Sequence, residues 1–138
     1  MKKHIITKEQ LSESGEYIGP DLSAFDGHIE AEKNLGDVRF AQTVSAAGYI
    51  YFKAGSGIEA GWGIEAGEGI EAGEGIKAGG GIEAGLSIVC KWIYGLRIFA
   101  GLCLWKIPLQ EEMEIRCGEV KKGVICFGNL VKTGAEKK

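Results

Sequence analysis

Between Gly57 and Leu86 the chain repeats Gly-Ile-(Glu/Lys)-Ala-Gly five times, with one free residue between copies. No other feature restricts the fold as strongly. Each copy alternates apolar, polar and apolar residues, the two-residue period of a short strand with one buried face. A helix cannot be built from it. Glycine costs a helix about 1 kcal/mol per occurrence relative to alanine, and here it comes at least twice in every six residues. A hairpin meander fares no better, because antiparallel strands of three residues are too short for most sheets. A solenoid resolves both problems: each triplet pairs, parallel and in register, with its equivalent one coil on. Glycine is then expected to supply positive φ at the corners.

The outward charges set the coil length. Twelve residues per coil would align Glu59, Glu71 and Glu83 on neighbouring strands, whereas eighteen would set Glu59 beside Lys77 and leave Glu65 beside Glu83 as the like-charge contact. Opposite charges across a strand pair help by about 0.2–1 kcal/mol and like charges cost a similar amount, so three faces and about eighteen residues per coil are favoured.

Alternating triplets flank the repeat: Ile29-Glu30-Ala31, Val38-Arg39-Phe40, Val44-Ser45-Ala46 and Phe52-Lys53-Ala54 before it, and Leu96-Arg97-Ile98, Leu102-Cys103-Leu104, Met113–Cys117 and Val124-Ile125-Cys126 after it. The expected fold is therefore all-β. It is a single-stranded, three-sided parallel β-helix over residues 28–131, right-handed by the general preference of parallel crossovers. It should have between roughly five and six coils and a length of roughly 25–30 Å. Residues 1–27 are expected to form an N-terminal helical cap and linker. Thr7-Lys8-Glu9-Gln10 fits a capping box, Gly15 is a natural stop, and the predicted helix runs over Lys8–Ser14. Gly19-Pro20 marks a turn, Pro108–Glu112 a corner loop, and residues 132–138 a flexible C-terminal tail.

Composition bounds the function more weakly. The chain of 138 residues carries 16 basic and 19 acidic side chains, a formal charge of −3. That predicts solubility and no general or direct attraction to nucleic acid. No apolar run follows Met1-Lys2-Lys3, so no leader is expected. Lys91, Arg97 and Lys106 interrupt the apolar stretch Leu86–Leu109, which excludes a membrane span there. The four cysteines, 90, 103, 117 and 126, form no CxxC pair, and read as reduced structural thiols of a cytoplasmic protein.

Catalytic motifs are hard to find. Gly61-x-Gly63-x-x-x-Gly67 approaches a dinucleotide fingerprint, but it recurs every six residues and no helix follows it. The hexapeptide pattern of left-handed acyltransferase helices wants a small residue where this chain has Trp62, Glu68, Glu74, Gly80 and Leu86. No hexad contains the aspartate of calcium-binding nonapeptide helices. His4 and His28 both precede the regular coils, and no nucleophile–base–orienter set is legible. The expectation is a non-enzyme without cofactor or metal.

Two surface features remain. Glu59, Glu65, Glu68, Glu71, Glu74 and Glu83 read as an acidic stripe that, with Trp62, would engage a protein partner with a basic surface; such binding weakens with salt. If Ile98, Leu102 and Leu104 point inward, alternation turns Phe99, Cys103 and Trp105 outward, and Val89 joins them. An apolar patch of that kind marks an interface, here expected to make a homodimer.

The GxIxAGxxIxAG punctuation over Ile29–Cys126 resembles the bactofilin and polymer-forming family of bacterial β-helices. That resemblance implies a right-handed, three-sided parallel β-helix without a cofactor. It also implies the alternative function of a self-assembling structural protein. The KEQL-type start, the GIEAG array and the following SIVCKWIYGLRIFAGLCLWKIP are similar to small proteins carried by phages and prophages. This likeness implies an anti-CRISPR or other counter-defence inhibitor, its partner a subunit of a CRISPR effector.

Overall fold

The computed structural model describes residues 2–133. Strands dominate it, and every pairing between strands is parallel. One sheet, the first face, runs in the order Lys2–Ile6, Gly27–Ala31, Ile50–Phe52, Ile70–Ala72, Ile88–Val89, Glu114–Cys117, Asn129–Lys132. A second face carries Gly36–Phe40, Ser56–Ala60 and Gly75–Ala78, and a third carries Val44–Ala46, Ile64–Ala66 and Ile82–Ala84. The long strand Trp92–Ala100 joins these two faces by running round the corner between them. Its start pairs with Gly75–Ala78 and its end with Ile82–Ala84. Glu119–Phe127 follows the same path one coil later. The chain thus visits the three faces in turn, a β-helix-like winding.

The register in the repeat is the one that the charges favoured. Ile58 lies opposite Ile76, Ile64 opposite Ile82 and Ile70 opposite Ile88. Glu59 therefore stands beside Lys77, and Glu65 beside Glu83. Each isoleucine and alanine of the repeat is buried, and the residue between them faces out. Stacked isoleucines, among them Ile58, Ile64, Ile70, Ile76, Ile82 and Ile88, form the core. Each contributes about 1.5–3 kcal/mol on burial.

The glycines have a different role from the expected one. Positive φ occurs at Gly15, Gly36, Gly55, Gly101, Gly123 and Gly128, and at Asn34; no glycine from Gly57 to Gly85 adopts it. The reason for glycine after each alanine is close approach instead. A Cβ on Gly67 would fall 2.1 Å from the Ala47 carbonyl oxygen of the preceding coil, and one on Gly85 2.0 Å from that of Gly67. The corner amide donates to the coil before it, as Gly67 does to the Ala46 carbonyl at 3.0 Å. Coils can stack at strand spacing there only if no side chain intervenes. The glycine before each isoleucine varies: a Cβ on Gly63 or Gly81 would meet nothing closer than 3.5 Å, whereas one on Gly57 would fall 2.7 Å from the Asp37 carboxylate and one on Gly75 2.0 Å from the Trp92 ring.

The N-terminal segment departs from expectation. No α-helix forms over Lys8–Ser14; Lys8–Gln10 is a single 3-10 turn without a side-chain cap. Thr7 caps no backbone amide; its hydroxyl, and then the Glu9 amide, hold the Glu9 carboxyl below the usual carboxylate range instead. A seven-residue helix is marginal by itself. The competing arrangement lets Lys2–Ile6 pair with Gly27–Ala31 and Leu11 bridge Tyr17. Leu22 is buried, and Leu11, Tyr17 and Phe25 pack against the aliphatic column. The segment is thus an irregular first coil. His4 Nε2, 3.1 Å from Gln10 Oε1 and 3.2 Å from the Tyr17 hydroxyl, ties it together.

Four of the flanking triplets are framed differently: Phe52-Lys53-Ala54; Leu102-Cys103-Leu104; Leu96-Arg97-Ile98, in which Leu96 is exposed; and Val124-Ile125-Cys126, in which Val124 and Cys126 face out while Ile125 packs on the core. The strand at the first is Ile50–Phe52, which leaves Lys53 and Ala54 at a corner. Leu102 and Leu104 do not point inward: Leu102 is half-buried and Leu104 is 99% exposed. A left-handed glycine at 101 ends the strand before them. Residues 134–138 of the expected tail lie outside the described residues.

Close approach, rather than φ, makes a specific prediction. Gly67→Ala should destabilise the fold by about 1–3 kcal/mol through overpacking. Gly63→Ala should stay within about 0.5 kcal/mol of the parent. Urea unfolding of the two variants decides between the explanations, because a requirement for φ would not separate them.

Candidate interaction surface

The six glutamates do not form one stripe. Glu71 lies on the first face, between Tyr51 and Val89. Glu59 lies on the second, between Arg39 and Lys77. Glu65 and Glu83 lie side by side on the third, between Ser45 and Phe99. Glu68 and Glu74 occupy two different corners, and Glu74 is held by Lys91 at 3.0 Å. Winding round three faces has dispersed what the sequence lines up. Trp62, 66% exposed, sits at the corner between the second and third faces.

The apolar set divides likewise. Val89 is on the first face, whereas Phe99 is on the third and Cys103 and Trp105 follow it in the loop. The structure therefore joins Phe99, Cys103 and Trp105 to Glu65 and Glu83, and leaves Val89 apart. Of these, Glu65, Glu83, Cys103 and Trp105 line a groove of about 280 Å³, and Phe99 stands in register beside Glu83 outside its lining. Ser45, Glu65 and Glu83 floor it; Leu102, Cys103 and Trp105 wall it.

The loop that walls the groove is braced from within. Gly101 turns the chain, and a Cβ there would fall 2.6 Å from the Met113 side chain. Glu112 Oε1 accepts from the Leu109 amide at 2.9 Å, while Lys106 Nζ reaches Glu112 Oε2 at 2.9 Å. The Leu109 amide, and then Lys106, hold the Glu112 carboxyl below the usual carboxylate range. Lys106 also lies 5.5 Å from the Trp105 ring centroid. The result is a fixed display of apolar side chains: Leu104, Trp105 at 63%, Ile107 at 92% and Leu109 are all exposed. Sequence reasoning missed Ile107 and Leu109 and placed Leu104 inside. The signal was the proline at 108 after LCLWKI, which stops strand pairing on that segment.

Two other clusters were also missed. On the first face the Tyr49 hydroxyl donates to Glu30 Oε2 at 2.6 Å, Lys3 approaches the same oxygen at 3.2 Å, and the His28 ring stacks on Tyr49 at 4.0 Å. Tyr49, and then Lys3, hold the Glu30 carboxyl low. These contacts fasten the first coils together and leave His28 no hydroxyl or thiol partner among the described residues. Inside the column Cys90 and Cys117 follow the register pairs Ile88–Ile115 and Val89–Arg116, both buried and both free. The neighbouring Cys117 thiol, and then burial, push the Cys90 thiol up. Among the described residues no helix is long and apolar enough to cross a membrane.

No protein-family model matches the chain, and neither a curated protein nor a solved structure matches it.

The bracing of the loop is pH-dependent. Glu112 has a folded value below its unfolded one, so its bracing is present above about pH 4.3, the ordinary glutamate value, and is lost as pH falls through the lowered folded value. The protection of the Leu109 amide against hydrogen exchange should fall through that acidic window. In Glu112→Gln it should be reduced at neutral pH, with the transition gone.

Proposed function

We propose that the protein is a non-catalytic binding protein that captures a basic segment of a protein partner in the third-face groove. We read its winding as a right-handed, three-sided parallel β-helix, the hand general to parallel crossovers. The observation that carries the binding role is the Glu65–Glu83 pair. Two carboxylates stand in register on adjacent strands, and among the described residues neither has a cation within ion-pair distance. Such a contact costs stability, about 0.2–1 kcal/mol. A lysine or arginine from a partner would reverse the sign, with Trp105 beside it as a ring for the cation. The exposed loop residues supply the apolar area that anchors such interfaces. Together with the likeness to phage-carried proteins, this supports an inhibitor of a bacterial defence complex, with a basic surface of a CRISPR-type effector as the partner.

The test separates the faces. A tagged protein is used to capture a CRISPR effector complex from host lysate. Glu65→Gln/Glu83→Gln should lose capture while gaining a few tenths of a kcal/mol in stability. Glu59→Gln/Glu71→Gln should capture as the parent does, and added salt should weaken binding. Equal capture by all variants would sink the third-face reading.

A second reading, self-assembly, is favoured by one observation. On the last described coil Val124, Phe127 and Leu130 are exposed, and the outer edge of Glu119–Phe127 has no strand partner among the described residues. Growth of light scattering with concentration supports it; a constant mass from low to high concentration rejects it.

A further inference from the structure

The second face carries a surface of opposite character near its far end. Its outward residues run Glu59, Lys77, Tyr94 and Lys122 in register through consecutive coils. Lys77 and Lys122 reach the Tyr94 ring from the coils on either side, with Nζ at 5.1 and 5.8 Å from its centroid. Trp92 stands one column over. Its indole occupies the space above Gly75, where a Cβ would fall 2.0 Å from the ring. Lys121 Nζ lies 4.2 Å from the Trp92 centroid. Three ammonium groups converge on two rings, and the rings are fixed by the strand and by the glycine beneath.

None of these lysines is neutralised by an ion pair among the described residues. Lys77 leaves Glu59, its register neighbour, and turns to Tyr94. The carboxylates around the strip are Glu59, Glu119 opposite Trp92, and Glu74, which is already bound to Lys91. Cations are therefore in excess here, although the chain as a whole carries −3. Two like charges drawn to one ring repel each other, and an anion between them relieves that repulsion. A planar base can take a lysine's place on the ring face while the displaced ammonium meets a phosphate. Phosphates flanking stackable bases describe a single nucleic-acid strand, because a duplex hides the faces of its bases. An acidic polypeptide offers the charges but does not set a stackable ring beside each of them, as a nucleic-acid strand does.

We propose that the strip formed by Lys77, Trp92, Tyr94, Lys121 and Lys122 binds single-stranded nucleic acid without sequence preference. The site lies on a different face from the Glu65–Glu83 groove and is independent of it. Fluorescence anisotropy with a labelled oligo-dT of about 20 nucleotides tests the proposal. Three phosphate contacts predict a loss of affinity of about 18-fold between about 50 and about 200 mM salt. Lys77→Glu/Lys122→Glu should weaken binding more than about 10-fold with a shallower salt dependence. Tyr94→Leu should weaken it several-fold with the salt dependence unchanged, since stacking is lost and charge kept. Circular dichroism checks that each variant keeps its sheet. Glu65→Gln/Glu83→Gln should bind oligo-dT as the parent does, which keeps this result separate from that of the groove. Absence of binding up to about 100 μM protein at low salt overturns the proposal. So does competition by polyglutamate equal to that by oligo-dT, with Tyr94→Leu unaffected, which would assign the strip to an acidic protein.

Discussion

Everything in this molecule depends on how closely one coil can lie on the next. The carbonyl of Ala47 occupies the place where a side chain on Gly67 would begin, and Gly67 does the same to Gly85. That contact lets the corner amides bond to the coil before them and brings the isoleucines into an unbroken column. Strand pairing, core packing and corner geometry are thus one constraint seen three ways. Larger side chains enter where the neighbouring coil leaves room for them. Trp92, for example, is accommodated because Gly75 below it has no side chain.

The same constraint governs the surface. A winding that keeps Ile and Ala inside fixes every third position outside, so charge is distributed by face and not by order along the chain. Glu59 and Glu65 are neighbours in the repeat yet belong to different faces, whereas Glu65 and Glu83 are eighteen residues apart and touch in register. Opposite surfaces arise within one small protein in this way: a carboxylate pair beside an apolar loop on the third face, and lysines on aromatic rings on the second.

Much of this was legible before any coordinates. The period-two triplets gave the strands, and the charge argument over Glu59 and Lys77 gave the coil length. The N-terminus was not legible, because Thr7-Lys8-Glu9-Gln10 satisfies a local helix signal while the decisive energy comes from pairing Lys2–Ile6 with residues far along the chain. Leu104 was misplaced for a related reason. Alternation was carried past Gly101, where the left-handed turn takes the chain out of the sheet. The candidate groove was half legible: Glu65, Glu83, Cys103 and Trp105 were singled out, but as members of two separate sets.

The sequence alone determined the parallel strands, the eighteen-residue register and the aliphatic interior, because a strict repeat forces the same local solution on every coil. Only the tertiary structure decided why the glycines are needed, which glutamates meet, and that Lys77, Lys121 and Lys122 gather on Trp92 and Tyr94. Those outcomes depend on contacts between coils, and a residue's neighbour one coil away is set by the length of the winding, which is irregular on both sides of the repeat.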